Sequence, residues 1–227
     1  MKKFSYLAAT VAAAIACSTA SAGVVTFESL TPTVYDGGEQ FANGYEKFTV
    51  LGAGFSGAVE DGSDPVACAI VTCPVGNFSK YFAAFNDGGL SFMRSDTNIK
   101  LVSLDFGFVL PAPTVVSGPV GQLQITGTKA DGSTLQVAKD FSQQNGMGNY
   151  EFSHWDIGGI FADTRFASVA FNACLYAGGV CSTDPNTTQN QAQFAVDNLD
   201  YVPEPASMAL VAISLGGMFA VRRRKSV

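Results

Sequence analysis

Histidine is almost missing from this chain: His154 is the only one in 227 residues. Any Ser-His-Asp or Cys-His mechanism would have to use that one ring, and no Gly-x-Ser-x-Gly elbow accompanies it. His154-Trp155-Asp156 lies between Phe152 and a Gly-Gly turn and reads as structural. Basic residues are scarce as well. Six of the 13 sit at the ends (Lys2, Lys3, Arg222, Arg223, Arg224, Lys225), which leaves seven against 19 acids between Gly23 and Pro205, a formal charge of −12. A body this acidic is repelled by a phosphate backbone, which excludes nucleic acid as a partner. Sustained apolar spacing of helical period is also absent from the interior, which excludes a helix bundle. Compositional disorder is excluded by a hydrophobic content of 47%. The 183 residues from Gly23 to Pro205 are enough for one sizeable core.

What is present at the two ends reads as addressing. Met1-Lys2-Lys3 is basic, Tyr6 to Cys17 is apolar and alanine-rich, and Ala20-Ser21-Ala22 offers small residues where a signal peptidase cuts. Residues 1–22 are therefore expected to be a signal peptide cleaved before Gly23. The C-terminus runs Val202-Pro203-Glu204-Pro205, then Ala206 to Val221, then Arg222-Arg223-Arg224-Lys225. Sixteen apolar residues make a helix of roughly 24 Å, short of the roughly 30 Å hydrocarbon core. The arginines hold the last residues on the cytoplasmic side of the inner membrane, and a weak span with a basic stop suits a transient anchor.

Pro203-Glu204-Pro205, a short apolar helix and the Arg222–Arg224 cluster together resemble the PEP-CTERM sorting signal of exported Gram-negative proteins, here over 203–227. The resemblance implies processing by an exosortase, a membrane-embedded cysteine transpeptidase. It also implies a membrane-anchored precursor that later reaches the cell surface or the extracellular space. Gln193-Phe194-Ala195-Val196-Asp197 resembles the Gln-Phe-x-x-Asp signature of one group of such proteins, and no reaction follows from that group.

Between the ends, strand signals recur. Lys47 to Leu51, Asn77 to Phe85 with Leu90 to Arg94 around a glycine turn, Ile99 to Leu110, Arg165 to Cys174 and Gln191 to Val202 read as strands. Gln122 to Lys129 and Leu135 to Phe141 flank Asp131-Gly132, a hairpin signal. Short strands broken by Gly, Asn, Asp and Pro predict an all-β domain over 23–202, a single β-sandwich or jelly roll.

Four cysteines remain outside the leader, and four allow three connectivities. Short spacing in an oxidising compartment favours Cys68–Cys73 and Cys174–Cys181, with zinc as the rival. Each bridge would close a loop of 6 or 8 residues, worth about 2 to 2.5 kcal/mol in the chain-entropy picture.

Sites of chemistry are few. Gly52-Ala53-Gly54-Phe55-Ser56-Gly57 matches G-x-G-x-x-G, but no helix pattern follows, so it reads as a glycine loop. Glu60, Asp61 and Asp64 cluster in one polar stretch, and Asp156 and Asp163 flank a glycine turn. Val25-Thr26-Phe27-Glu28 at the start and Val196-Asp197-Asn198 at the end resemble carbohydrate-binding jelly rolls. That resemblance implies paired end strands and a structural calcium held by Glu28 and Asp197. Trp155 and Tyr150 are the aromatics expected to form an exposed platform. The function expected is that of a non-enzymatic surface or extracellular-matrix protein binding exopolysaccharide, the alternative being an exported hydrolase using a carboxylate pair about 5 to 9.5 Å apart.

Overall fold

The computed structural model describes residues 22–64, 67–68, 71–111 and 118–204. Ala20 and the leader before it, Pro205, the apolar tail and Arg222–Arg224 lie outside the described residues. Among those described, no helix is long and apolar enough to cross a membrane.

The chain first lays down β1 (Gly23–Val25), β2 (Thr33–Asp36), β3 (Gln40–Asn43), β4 (Glu46–Leu51) and β5 (Phe55–Asp61). Next come β6 (Lys80–Ala84), β7 (Gly89–Arg94), β8 (Ile99–Phe108), β9 (Gly121–Thr128) and β10 (Thr134–Asp140). It ends with β11 (Ser153–Asp156), α1 (Gly159–Asp163), β12 (Ser168–Ala177), β13 (Val180–Ser182), α2 (Pro185–Thr188) and β14 (Phe194–Pro203). One sheet has the order β11-β8-β14-β6-β5-β2, with β1 beside the second half of β14. The other runs β10-β9-β12-β7-β4-β3, with β13 beside the end of β12. The named strands pair antiparallel throughout, and the two sheets stack as a β-sandwich, the all-β architecture expected.

Alternation decides which side chains meet between the sheets. In β9, Leu123 and Ile125 are buried while Gln122, Gln124 and Thr126 are half-exposed, the period-2 pattern of a strand with one face on the core. Asp131-Gly132 turns this strand into β10: Asp131 accepts hydrogen bonds from the Ser133 amide and hydroxyl at 2.9 and 2.7 Å. Gly132 takes the positive φ of 82° that the turn needs. Phenylalanine fills the space between the sheets, as in the stacked pair Phe48–Phe92 at 5.4 Å.

Three expectations need correction. Asn77–Phe85 and Leu90–Arg94 do flank a turn, yet β6 pairs with β5 and β14 while β7 pairs with β4 and β12. The strands therefore lie in opposite sheets. Asn86 and Asp87, at φ 53° and 58°, carry the chain over the end of the sandwich, and a Cβ on Gly88 would sit 2.3 Å from the Ser56 carbonyl. Second, the glycine loop expected over Gly52–Gly57 is shorter than that: Phe55–Gly57 already belong to β5, and, as expected, no helix N-terminus follows to hold a pyrophosphate. Third, Trp155 is only 7% exposed and Tyr150 is buried, packed on Phe106 and Phe108 at 5.8 and 5.0 Å. Neither is a platform, because their positions point between the sheets.

The bridges are Cys68–Cys73 and Cys174–Cys181, with Cα separations of 5.8 and 5.5 Å. The second joins β12 to β13. The first lies over the outer face of the β14 sheet, where Val71, Cys73 and Phe152 pack on a second cluster formed by Ala58, Tyr81, Ala83, Phe85, Val109 and Ala195.

Candidate binding cleft

The outer face of that sheet turns polar beside this small cluster. Asp105 is the one acid of β8, with His154 opposite it on β11 and Asp197 opposite it on β14. Its Oδ1 meets His154 Nδ1 at 2.7 Å and its Oδ2 accepts from Asn198 Nδ2 at 2.7 Å. His154 Nε2 meets Asp156 Oδ1 at 3.2 Å. With a carboxylate on each ring nitrogen, the imidazolium is favoured, and the Asp105 hydrogen bond is the main cause of an upward shift in the His154 pKa.

A bulge in β14 makes this arrangement possible. The register with β8 shifts between Asp197 and Asp200, and Asn198 adopts φ 48°. The extra residue lets Asn198 reach Asp105 while Leu199 and Tyr201 return to the core. Asp197 is 0% exposed. Its Oδ2 accepts from Asn77 Nδ2 at 2.8 Å and Ser79 Oγ at 2.6 Å, whereas Oδ1 has no hydrogen-bond partner. Burial pushes its pKa up; the Ser79 and Asn77 bonds and the nearby Asn198 amide oppose the shift, and the Asp105 charge adds to it.

Asn77 and Ser79 belong to a segment that walls a cleft of about 420 Å³, also lined by Phe78, Asp105, Phe152, Ser153, His154 and Asn198. No Lys or Arg lines it. Phe78 is 80% exposed and stands as a ridge, because a second hollow of about 360 Å³ on its other side is lined by Asp64, Tyr81 and the Cys68–Cys73 bridge. The cleft thus sets an apolar ring beside amide, hydroxyl and carboxylate groups, those of Asp105, Ser153 and Asn198 carried on strands and those of Asn77 and Ser79 on the segment before β6.

The two ends of the domain do meet: β1 pairs with β14, Gly23 opposite Tyr201. Glu28 and Asp197 converge on neighbouring residues of one segment, Lys80 and Ser79. Each is engaged by protein donors there. Glu28 Oε1 accepts from the Lys80 amide at 2.8 Å, and the Lys80 ammonium donates to the carbonyls of Glu28 and Leu30 at 3.1 and 2.8 Å. Among the described residues, no group of three or more His, Cys, Asp or Glu is placed to hold a metal. Of the other acids, Asp61 accepts from the Ser63 amide and hydroxyl, burial raises the Glu60 pKa, and Asp163 closes α1.

Phe78 and Asp105 were not singled out by sequence reasoning, and Asn198 entered only as part of the Val196-Asp197-Asn198 motif. Asp105 had a readable signal, the one acid inside the largely apolar run Ile99–Leu110. Phe78 had a weaker one, an aromatic enclosed by Gly76, Asn77 and Ser79.

At the far end of β14, Pro203 lies opposite Ile99. The strand thus runs one residue into the span assigned to sorting. The Glu204 amide donates to the Asn98 carbonyl at 3.1 Å, its carboxylate accepts from Asn98 Nδ2 at 3.0 Å, and Arg165 Nε lies 4.0 Å away.

The PEP-CTERM protein-sorting motif family matches residues 202–225, a span containing Pro203-Glu204-Pro205 and Arg222–Arg224. No curated protein matches the chain. Among solved structures, a DUF4465 family protein from Bacteroides caccae superposes with a TM-score of 0.53 at 15% identity, covering 81% of this chain and 100% of that one. At that identity the likeness concerns the fold alone. An arabinose-bound family 51 α-L-arabinofuranosidase (TM-score 0.40, 12% identity, 78% of this chain and 25% of that one) is a looser match. So is a family 29 carbohydrate-binding module (0.35, 13%, 76% and 84%). Neither bears on function. The chain carries a PEP-CTERM protein-sorting motif directly behind a two-sheet β-sandwich, and is accordingly an exported, exosortase-processed protein whose membrane-anchored precursor is sorted to the cell surface.

Proposed function

We propose that the exported domain is a non-enzymatic binder of extracellular polysaccharide, and that the Phe78 cleft is its binding site. One observation carries this: an aromatic ring 80% exposed stands beside Asn77, Asp105, Ser153 and Asn198 on a rigid sheet face. A pyranose presents an apolar C–H face and a rim of hydroxyls, and this pairing of ring and polar groups suits both. The carboxylates favour binding over hydrolysis, since Asp197 is sealed from solvent and Asp105 is held by His154 and Asn198.

The rest of the reading follows the sorting motif. A Gram-negative host removes residues 1–22 with signal peptidase, holds the precursor transiently in the inner membrane through 206–221, and trims it at the Pro203–Pro205 region. The resemblance of Gln193–Asp197 to the Gln-Phe-x-x-Asp signature supports assigning it to that group. A glycan-array screen of the full chain in mild detergent tests the binding: retention on polysaccharide that Phe78→Ala abolishes is the expected result. Turnover of a polysaccharide, lost in Asp105→Asn, would overturn it in favour of a hydrolase.

A further inference from the structure

The charge around the cleft narrows the ligand class. Asp105 lines it, Asp156 projects beside His154 with its side chain 90% exposed, and Asp197 lies beneath the wall with Oδ1 unpartnered. One histidine stands against these three acids, and it is already bridged between two of them. No Lys or Arg lines the cleft. Of the domain's cations, Arg94 is paired bidentately with Asp96 at 2.8 Å, and Lys80 is turned onto two carbonyls. Behind the cleft stands a body of formal charge −12.

A polymer carrying a carboxylate or sulfate on each sugar would meet this field with repulsion and find as cation only the His154 ring, already engaged by Asp105 and Asp156. A polymer of amine-bearing sugars meets the opposite. Its ammonium groups can donate to the exposed Asp156 and are attracted by the nearby charge of Asp105, and an ammonium beside the Phe78 ring gains cation–π attraction while the sugar face stacks. We propose, resting on the binding reading above, that the cleft selects an amine-bearing, polycationic polysaccharide over neutral and anionic ones.

The test uses the full chain in mild detergent at about pH 6, where sugar amines are protonated, and about 0.15 M salt. Three probes are titrated: a glucosamine oligomer, its fully N-acetylated form and an oligogalacturonate. The amine oligomer is expected to bind about five- to tenfold tighter than the acetylated one, with no detectable galacturonate binding. Asp156→Asn, at an exposed side chain that does not endanger folding, and Asp105→Asn should both narrow that ratio. Phe78→Ala leaves the net charge unchanged and should weaken the amine oligomer. Undiminished binding in Phe78→Ala would mean bulk charge attraction and overturn the proposal. Equal affinity for amine and acetylated oligomers, or preference for galacturonate, overturns this inference while leaving polysaccharide binding standing. Failure of all three probes overturns both.

Discussion

Glu204 and Asn98 are joined twice, backbone amide to carbonyl at 3.1 Å and side-chain amide to carboxylate at 3.0 Å. The central residue of Pro203-Glu204-Pro205 is therefore pinned to the folded domain, at the start of the strand that pairs with β14. An exosortase that grips this residue must first peel it away. Asn98→Ala removes the side-chain bond and keeps the backbone one. The tail should then be removed about two- to fivefold faster, the effect of one net hydrogen bond, as read by mass spectrometry of tailed and tailless chain over time. Unchanged or slower processing would show that the pin plays no part in access.

His154 makes stability depend on pH in a definite direction. Its folded pKa is raised, mainly by the Asp105 hydrogen bond, so the stabilisation it provides is fully present below the unfolded value of about 6.5. It is lost as pH rises through the raised folded value. The melting difference between the native chain and His154→Gln should be largest in mild acid and fade in alkali. The effect will be modest, because the ring is 55% exposed and water screens the pair. A gap that widened with pH would contradict the assignment.

Lys80 ties down the segment carrying Glu28, one of the two calcium ligands that the resemblance to carbohydrate-binding jelly rolls implies, with its ammonium on the Glu28 and Leu30 carbonyls. If this built-in cation holds the end segment, a chelator will leave the melting temperature unchanged. Lys80→Met, which keeps the stem and loses the charge, should cost about 2 kcal/mol, or roughly 4–8 °C. A calcium-dependent rise in the melting temperature of the native chain, lost in Asp197→Asn, would restore the metal.

The aromatics divide into two roles. Trp155→Ala empties a core site against Phe106 and should cost about 3–5 kcal/mol. Phe78→Ala should change melting by no more than about 0.5 kcal/mol while removing glycan retention. Denaturant midpoints with a parallel binding assay separate the two; a large loss of stability in Phe78→Ala would make that ring structural.

Local chemistry was legible in the sequence. Asp131-Gly132 announces the β9–β10 hairpin, and the short cysteine spacings announce both bridges. What was not legible depends on distant pairing. The bulge at Asn198 interrupts the inward series Phe194, Val196, Leu199 and Tyr201, so β14 shows only broken alternation. The Asp105–His154 and Asp197–Asn77 contacts join residues 49 and 120 positions apart. No window holds both partners, so two strands must align before either contact exists. Trp155 and Phe78 exchange roles for the same reason: which face a strand residue occupies depends on register, and Phe78 precedes its strand.

The place of β14 also sets a schedule. It is the last strand among the described residues, yet β8, β6 and β1 all pair along it. Until Phe194–Pro203 has crossed the membrane, its neighbours lack their shared partner and the Phe82, Phe106 and Phe108 side of the core cannot close. Non-local pairing of this kind is slow and waits for the whole chain. The sandwich thus crosses the membrane unfinished, and its final described strand ends on the first residue of Pro203-Glu204-Pro205. Completion of the fold and arrival of the sorting tail are nearly simultaneous, so a defect in either will be felt as a delay in the other.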